Sequence, residues 1–216
     1  MFKINKGLCL LSLILILLIV IPSSFAHENA TEVMIDDDSS NPIESINGDA
    51  EIIKDTSKDY YFNASAADDS GNGSKDNPYK YLTADRIKAN ANIYLANGVY
   101  NLDKVKSIEQ VNFIGSDANS TIIKYNGIAF KVSNTMTLTN LTIRDATIMN
   151  YATFNATNTI FAYGSGRSQD MYGNNYGGAI YCPNSGAATV VIKNCTFLEN
   201  YAEYGGAIYM NGGSID

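Results

Sequence analysis

One five-residue phrase constrains this 216-residue chain more than any other feature. Gly177-Gly178-Ala179-Ile180-Tyr181 returns as Gly205-Gly206-Ala207-Ile208-Tyr209, 28 residues further on. Phe197-Leu198-Glu199-Asn200 lies between the copies. A repeat at this spacing predicts a stacked architecture, in which each unit buries its apolar face only against its neighbours.

A fainter repeat agrees. Thr139-Asn140-Leu141-Thr142-Ile143, Thr157-Asn158-Thr159-Ile160-Phe161 and Lys193-Asn194-Cys195-Thr196-Phe197 can be laid one above another. Their asparagines fall 18 and then 36 residues apart. The longer gap holds Gly164 to Asn175, a polar insertion. Turn length can vary in a coil of strands without moving the stack.

The rest of the chain reads as short strands cut by Gly, Asn and Asp. Val111–Ile114, Thr121–Tyr125, Ala129–Val132, Met136–Thr139, Thr189–Ile192 and Ala207–Met210 are rich in residues that suit strands. Residues 83–90 are the exception. Thr83 suits an N-cap and Asp85 the first turn, which predicts a helix of about two turns able to cap the N-terminal end.

The expected fold is therefore all-β, a parallel β-helix wound as a single-stranded solenoid with a short N-terminal capping helix. Ile143, Phe161 and Phe197 are candidates for one inward column, and Ile180 and Ile208 for another. Asn140, Asn158 and Asn194 would stack at a turn, where Asn tolerates left-handed geometry. Gly177-Gly178 and Gly205-Gly206 fit a sharp corner needing positive φ or close approach between coils.

The N-terminus reads as a secretory signal over residues 1–26. Lys3 and Lys6 precede an apolar run from Leu8 to Ile21, and Ser24-Phe25-Ala26 offers a cleavage site. The run is shorter than the roughly 20 residues a spanning helix needs, so no membrane insertion is expected after cleavage. Residues 27–58 carry Asp36-Asp37-Asp38 and no apolar period, and read as a disordered acidic leader. Residues 59–216 form the coil. The chain stops in mid-repeat at Asp216, which predicts either a piece of a longer protein or self-association through an uncapped C-terminal coil.

Composition removes several function classes. Net charge is −7, and loss of Lys3 and Lys6 would make it −9, which disfavours nucleic acid and anionic lipid as partners. The one histidine, His27, would stand at the new N-terminus, so Ser-His-Asp and Cys-His catalysis are excluded. Cys182 and Cys195 permit a disulfide after export, but their strand setting favours small buried thiols.

The motifs resemble known families. Phe197-x-x-Asn200 followed by Gly205-Gly206-Ala207-Ile208 looks like the paired motif of polymorphic outer-membrane protein repeats. Val190 to Gly206 resembles the repeats of adhesin-like surface proteins of methanogenic archaea. Residues 60–115, from Tyr60-Tyr61-Phe62 through Gly98-Val99-Tyr100 to Phe113-Ile114-Gly115, resemble the opening of pectate-lyase-like right-handed parallel β-helices. One unit departs from the pattern: Phe161-Ala162-Tyr163-Gly164 has Gly where Asn is expected.

The resemblance implies a secreted or cell-surface protein that binds extracellular glycans or cell-surface proteins. It also implies an alternative, a polysaccharide lyase or hydrolase on the same fold, and a further one, a structural envelope repeat. A lyase needs acids to hold Ca²⁺ and a basic side chain to take a proton. Arg144-Asp145 is the best such pair, although a plain surface ion pair is the favoured account of it. No catalytic residue is assigned and no cofactor is expected. Ca²⁺ is the one candidate, at Asp68 and Asp69 with Asp76 beyond, in a loop that lacks the EF-hand pattern. Tyr172, Tyr176, Tyr181, Tyr201, Tyr204 and Tyr209 crowd the last third and can stack on sugars or anchor an interface.

Overall fold

The computed structural model describes residues 58–166, 173–183, 186 and 188–216. The chain divides into two units, Met1–Ala50 and Glu51–Asp216, and every described residue belongs to the second. The expected signal segment and all of the expected leader except Lys58 lie outside the described residues.

The strands are β1 (Lys58–Phe62), β2 (Ala91–Leu95), β3 (Gly98–Asn101), β4 (Lys106–Gly115), β5 (Thr121–Thr139), β6 (Thr142–Asn150), β7 (Thr153–Thr157), β8 (Ile160–Ala162), β9 (Ile180–Cys182), β10 (Thr189–Lys193), β11 (Thr196–Leu198), β12 (Ile208–Met210) and β13 (Ser214–Ile215). Every pairing among them is parallel, and no α-helix occurs among the described residues.

The pairings resolve into three faces. The first stacks β1, β2, the end of β4, the end of β5, β7, β10 and β13. The second stacks β3, the start of β5, the start of β6, β8 and β11. The third stacks the start of β4, the middle of β5, the end of β6, β9 and β12. The long strands β4, β5 and β6 bend around corners and so serve more than one face. The result is a parallel β-helix, each coil laid on the one before at about 4.8 Å.

In-register stacking builds the core from columns of like residues. Tyr100, Ile123, Ile143, Phe161 and Phe197 follow one another on the second face. Phe130, Ile148, Ile180 and Ile208 do so on the third, and Ala91, Val111, Met136, Phe154 and Val190 on the first. Phe161 and Phe197 stack with ring centres 5.0 Å apart. Tyr100 heads its column with its hydroxyl buried. That hydroxyl donates to Ala96 O at 2.8 Å and accepts from Ala64 N–H at 3.2 Å, and burial pushes its pKa up to about 12.

Residues 83–90 correct one expectation. They form a turn over Ala84–Arg86 in place of the helix. The Ala84 N–H donates to the Asp103 carboxylate at 2.7 Å, and Leu82 and Ile87 are driven fully into the core. Two turns of helix are marginal on their own, so these tertiary contacts decide the conformation. The outer edge of β1 is covered by the loop that follows it: Tyr61 N–H donates to Gly73 O and Asn63 N–H to Tyr79 O.

The glycine pairs sit where the third face begins. Gly177 and Gly205 have φ of 54° and 64°, the left-handed region that glycine enters at little cost. Gly178 serves a different need. A Cβ there would lie 2.1 Å from Gly206 O in the next coil. Gly178→Ala should therefore destabilise the coil by roughly 1–3 kcal/mol or more. Gly186→Ala, where a Cβ meets nothing within 4 Å, should be close to neutral. Thermal melts of the two variants by circular dichroism check this, and equal melting temperatures would refute the close-approach account.

Candidate functional surface

The corner between the first and second faces carries an amide ladder. Asn140, Asn158 and Asn194 have φ of 54°, 48° and 51°. Asn158 Nδ2 donates to Asn140 Oδ1 at 3.1 Å, and Asn194 Nδ2 donates to Asn158 Oδ1 at 2.6 Å. Each asparagine thus combines left-handed backbone with a side chain that bonds to the coil beside it.

Asn200 joins coils at the next corner. Its Nδ2 donates to Phe161 O at 2.8 Å, and its Oδ1 accepts from Gly164 N–H at 2.9 Å. The side chain is thereby fastened to the preceding Phe161–Gly164 unit. The glycine in that unit also has a steric reason, since a Cβ at Gly164 would lie 2.1 Å from Gly178 O. Asp145, Tyr163 and Glu199 take positive φ at this same corner in successive coils. The connection after Asp145 is immediate, whereas those after Tyr163 and Glu199 are long.

Arg144 and Asp145 end the second-face segment of β6. Asp145 Oδ2 lies 3.3 Å from Lys124 Nζ, with both side chains partly exposed. The Arg144 guanidinium sits over the Tyr163 ring at 5.6 Å, and its buried Nε has no hydrogen-bond partner. Lys124, Asp145 and Tyr163 line a cavity of about 410 Å³ with Asn126 and Ser165. The carboxylate therefore faces a lysine on the neighbouring coil, and among the described residues no second carboxylate lines that cavity.

The acidic loop near the N-terminus has structural partners. Asp69 Oδ1 accepts from Arg86 at 2.8 Å and from the N–H groups of Lys80 and Tyr81. Asp68 accepts from the N–H and hydroxyl of Ser70. Asp76 is exposed. Among the described residues no three His, Cys, Asp or Glu side chains gather as a metal site would require.

The tyrosines of the twin repeats come together. Tyr176 lies 5.5 Å from Tyr181, 5.1 Å from Tyr204 and 4.8 Å from Tyr209 between ring centres. Tyr201 stands apart, 68% exposed. Tyr172 lies outside the described residues. Cys182 is buried, Cys195 is half-buried, and both are free thiols.

A second aromatic stack has no counterpart in the sequence reading. On the outer side of the first face, Tyr61 and Tyr94 stack 4.8 Å apart with planes 11° from parallel. Beside them Asn112 Nδ2 donates to Asn92 Oδ1, and Asn92 Nδ2 to Asp59 Oδ1, both at 2.9 Å. Next to the stack lies a cavity of about 410 Å³ lined by Tyr61, Tyr94, Lys75, Ile114, Gly115 and Ser116, among others. The signal that could have found it is alternation: Asp59 and Tyr61 point out of β1, as Asn92 and Tyr94 do from β2. No repeated phrase links the two strands, so their register was not legible.

Residues 194–215 match the Chlamydia polymorphic membrane protein repeat. The match covers the last coil, from Asn194 of the amide ladder through β11, Asn200, Gly205-Gly206 and β12 to β13. No curated protein and no solved structure matches the chain.

Two predictions follow from these contacts. Asn158→Ala removes both ladder bonds and leaves at φ near 48° a residue without the polar side chain that makes Asn tolerant of that region, for a loss of about 2 kcal/mol. Asn158→Gly keeps the backbone and loses the bonds alone, so urea denaturation should place it between the wild type and Asn158→Ala. Asp69 tests the loop. The Arg86 hydrogen bond, helped by two backbone N–H groups, holds its carboxyl below the ordinary 3.8. Its contribution to stability is complete above 3.8 and is lost as pH falls through the lower folded value. Melting temperature should fall more steeply in acid for the wild type than for Asp69→Asn, and parallel acid profiles would contradict this.

Proposed function

We propose that this chain is a cell-surface, adhesin-like β-helix that uses its outer faces to bind extracellular glycans or surface proteins. The observation that carries this is the repeat match over 194–215, which falls on one complete rung of the coil rather than on scattered residues. The described corners support it. Left-handed asparagines and close-packed glycines fix the backbone, while connections of different length, short after Asp145 and long after Tyr163, leave the coil at a fixed place. Rigid framework and variable loops are the usual division of labour in binding proteins. The pairing of Asp145 with Lys124 favours binding over turnover.

Antibodies against the Glu51–Asp216 unit should label intact, unpermeabilised cells of the source organism, and mild external protease should remove the label. Labelling only after permeabilisation would overturn the surface assignment. Purified protein should leave acidic and neutral polysaccharides unchanged. Turnover that is lost on Arg144→Ala would replace the adhesin reading with an enzymatic one.

A further inference from the structure

The outward column on the first face runs Tyr61, Tyr94, Ile114, Thr139 in strict register. Side-chain size falls sharply after the second position. Tyr61 covers one face of the Tyr94 ring. The other face looks toward the rung of Ile114, where the smaller side chain leaves a step. The cavity beside Tyr94 and Ile114 lies at this step, with the Gly115-Ser116 turn on one side and Lys75 and Pro78 of the N-terminal loop on the other. Gly115 is fixed as glycine by the next coil, because a Cβ there would lie 2.2 Å from Asn140 O.

The lining chemistry is selective. The volume of about 410 Å³ falls within the about 300–1,000 Å³ of small-ligand sites. Tyr94 offers a flat aromatic face, which suits the C–H face of a pyranose ring. Lys75 is the one charged side chain in the lining, is exposed, and has no ion-pair partner among the described residues. An unpaired ammonium at the mouth of an aromatic cleft favours an anionic substituent on the sugar. The chain's overall negative charge opposes this only at long range, and salt screens it beyond about 8 Å.

We propose that the Tyr94–Lys75 cleft binds a pyranose ring carrying a carboxylate or sulfate, with the ring on Tyr94 and the anion on Lys75. This rests on the surface-binding reading and assigns it a site. The chain has no tryptophan, so tyrosine fluorescence, with saturation-transfer NMR, can report on the cleft. The probes are a methyl glucuronide, a sulfated methyl galactoside and the uncharged methyl glucoside. At least one anionic probe should bind, and the glucoside should bind more weakly. Tyr94→Ala should weaken the anionic probe roughly tenfold, while Tyr94→Phe retains most of the affinity. Lys75→Gln should remove the preference for the charged sugar without a change in melting temperature. Which anionic probe binds better identifies the substituent. Equal binding of charged and neutral sugars, or a Tyr94→Ala variant with unchanged affinity, would overturn the site. If whole-cell binding by the full chain survives Tyr94→Ala while all three probes fail, the cleft is wrong and the adhesin reading stands. If cell binding is absent from the wild type, the wider reading falls instead.

Discussion

Parallel hydrogen bonding from coil to coil is the constraint on which the rest of the structure depends. It places each residue above its counterpart, so side chains along the axis meet at one strand spacing and must be compatible there. Apolar counterparts become columns such as Ile143–Phe161–Phe197. Amide counterparts become the Asn140–Asn158–Asn194 ladder. Glycine counterparts allow Gly178 and Gly206 to approach at the corner. The same register that builds the core thus decides what appears outside it.

The corner chemistry also explains why the sequence carries two spacings. The asparagine ladder advances by 36 residues between its last two members, and the glycine corner by 28. Both describe the same step from one coil to the next. The difference is taken up by the connection that begins at Tyr163, which is longer than the one that begins at Glu199. Each connection starts from a residue with positive φ, at 60° and 49°. The chain therefore leaves the second face in the same direction in both coils, and length is free to differ beyond that point.

What was legible in the sequence is what the corners require. Left-handed backbone favours Asn, and close approach admits only Gly, so both leave residue-specific marks at fixed places. Strand interiors accept many apolar residues, and the first rungs, β1 and β2, share no phrase that would align them. Tyr61 over Tyr94 was invisible for that reason. The segment 83–90 misled because Thr83 and Asp85 carry helix-start chemistry in isolation. The competing terms are tertiary: a carboxylate from Asp103 and a core that takes Leu82 and Ile87. Arg144 and Asp145 were legible as a neighbouring pair but not as partners, since register aligns Arg144 with Lys124 while the bend at Asp145 turns its carboxylate back to that lysine.

The outer face is where this architecture can carry specificity. A column of equal side chains gives a closed, self-stacked surface, and the twin-repeat tyrosines 176, 181, 204 and 209 approach that limit by using their rings on one another. A column whose side chains change size leaves an open ring face. The change from Tyr94 to Ile114 is such a place, and the N-terminal loop that closes the edge of β1 also supplies its Lys75. On the proposed binding reading, recognition falls where the repeat is broken, while the regular coils hold those breaks in position. Substitutions at outward strand positions can alter a binding face without disturbing the inward columns, which lets one scaffold present different surfaces at little cost to its stability.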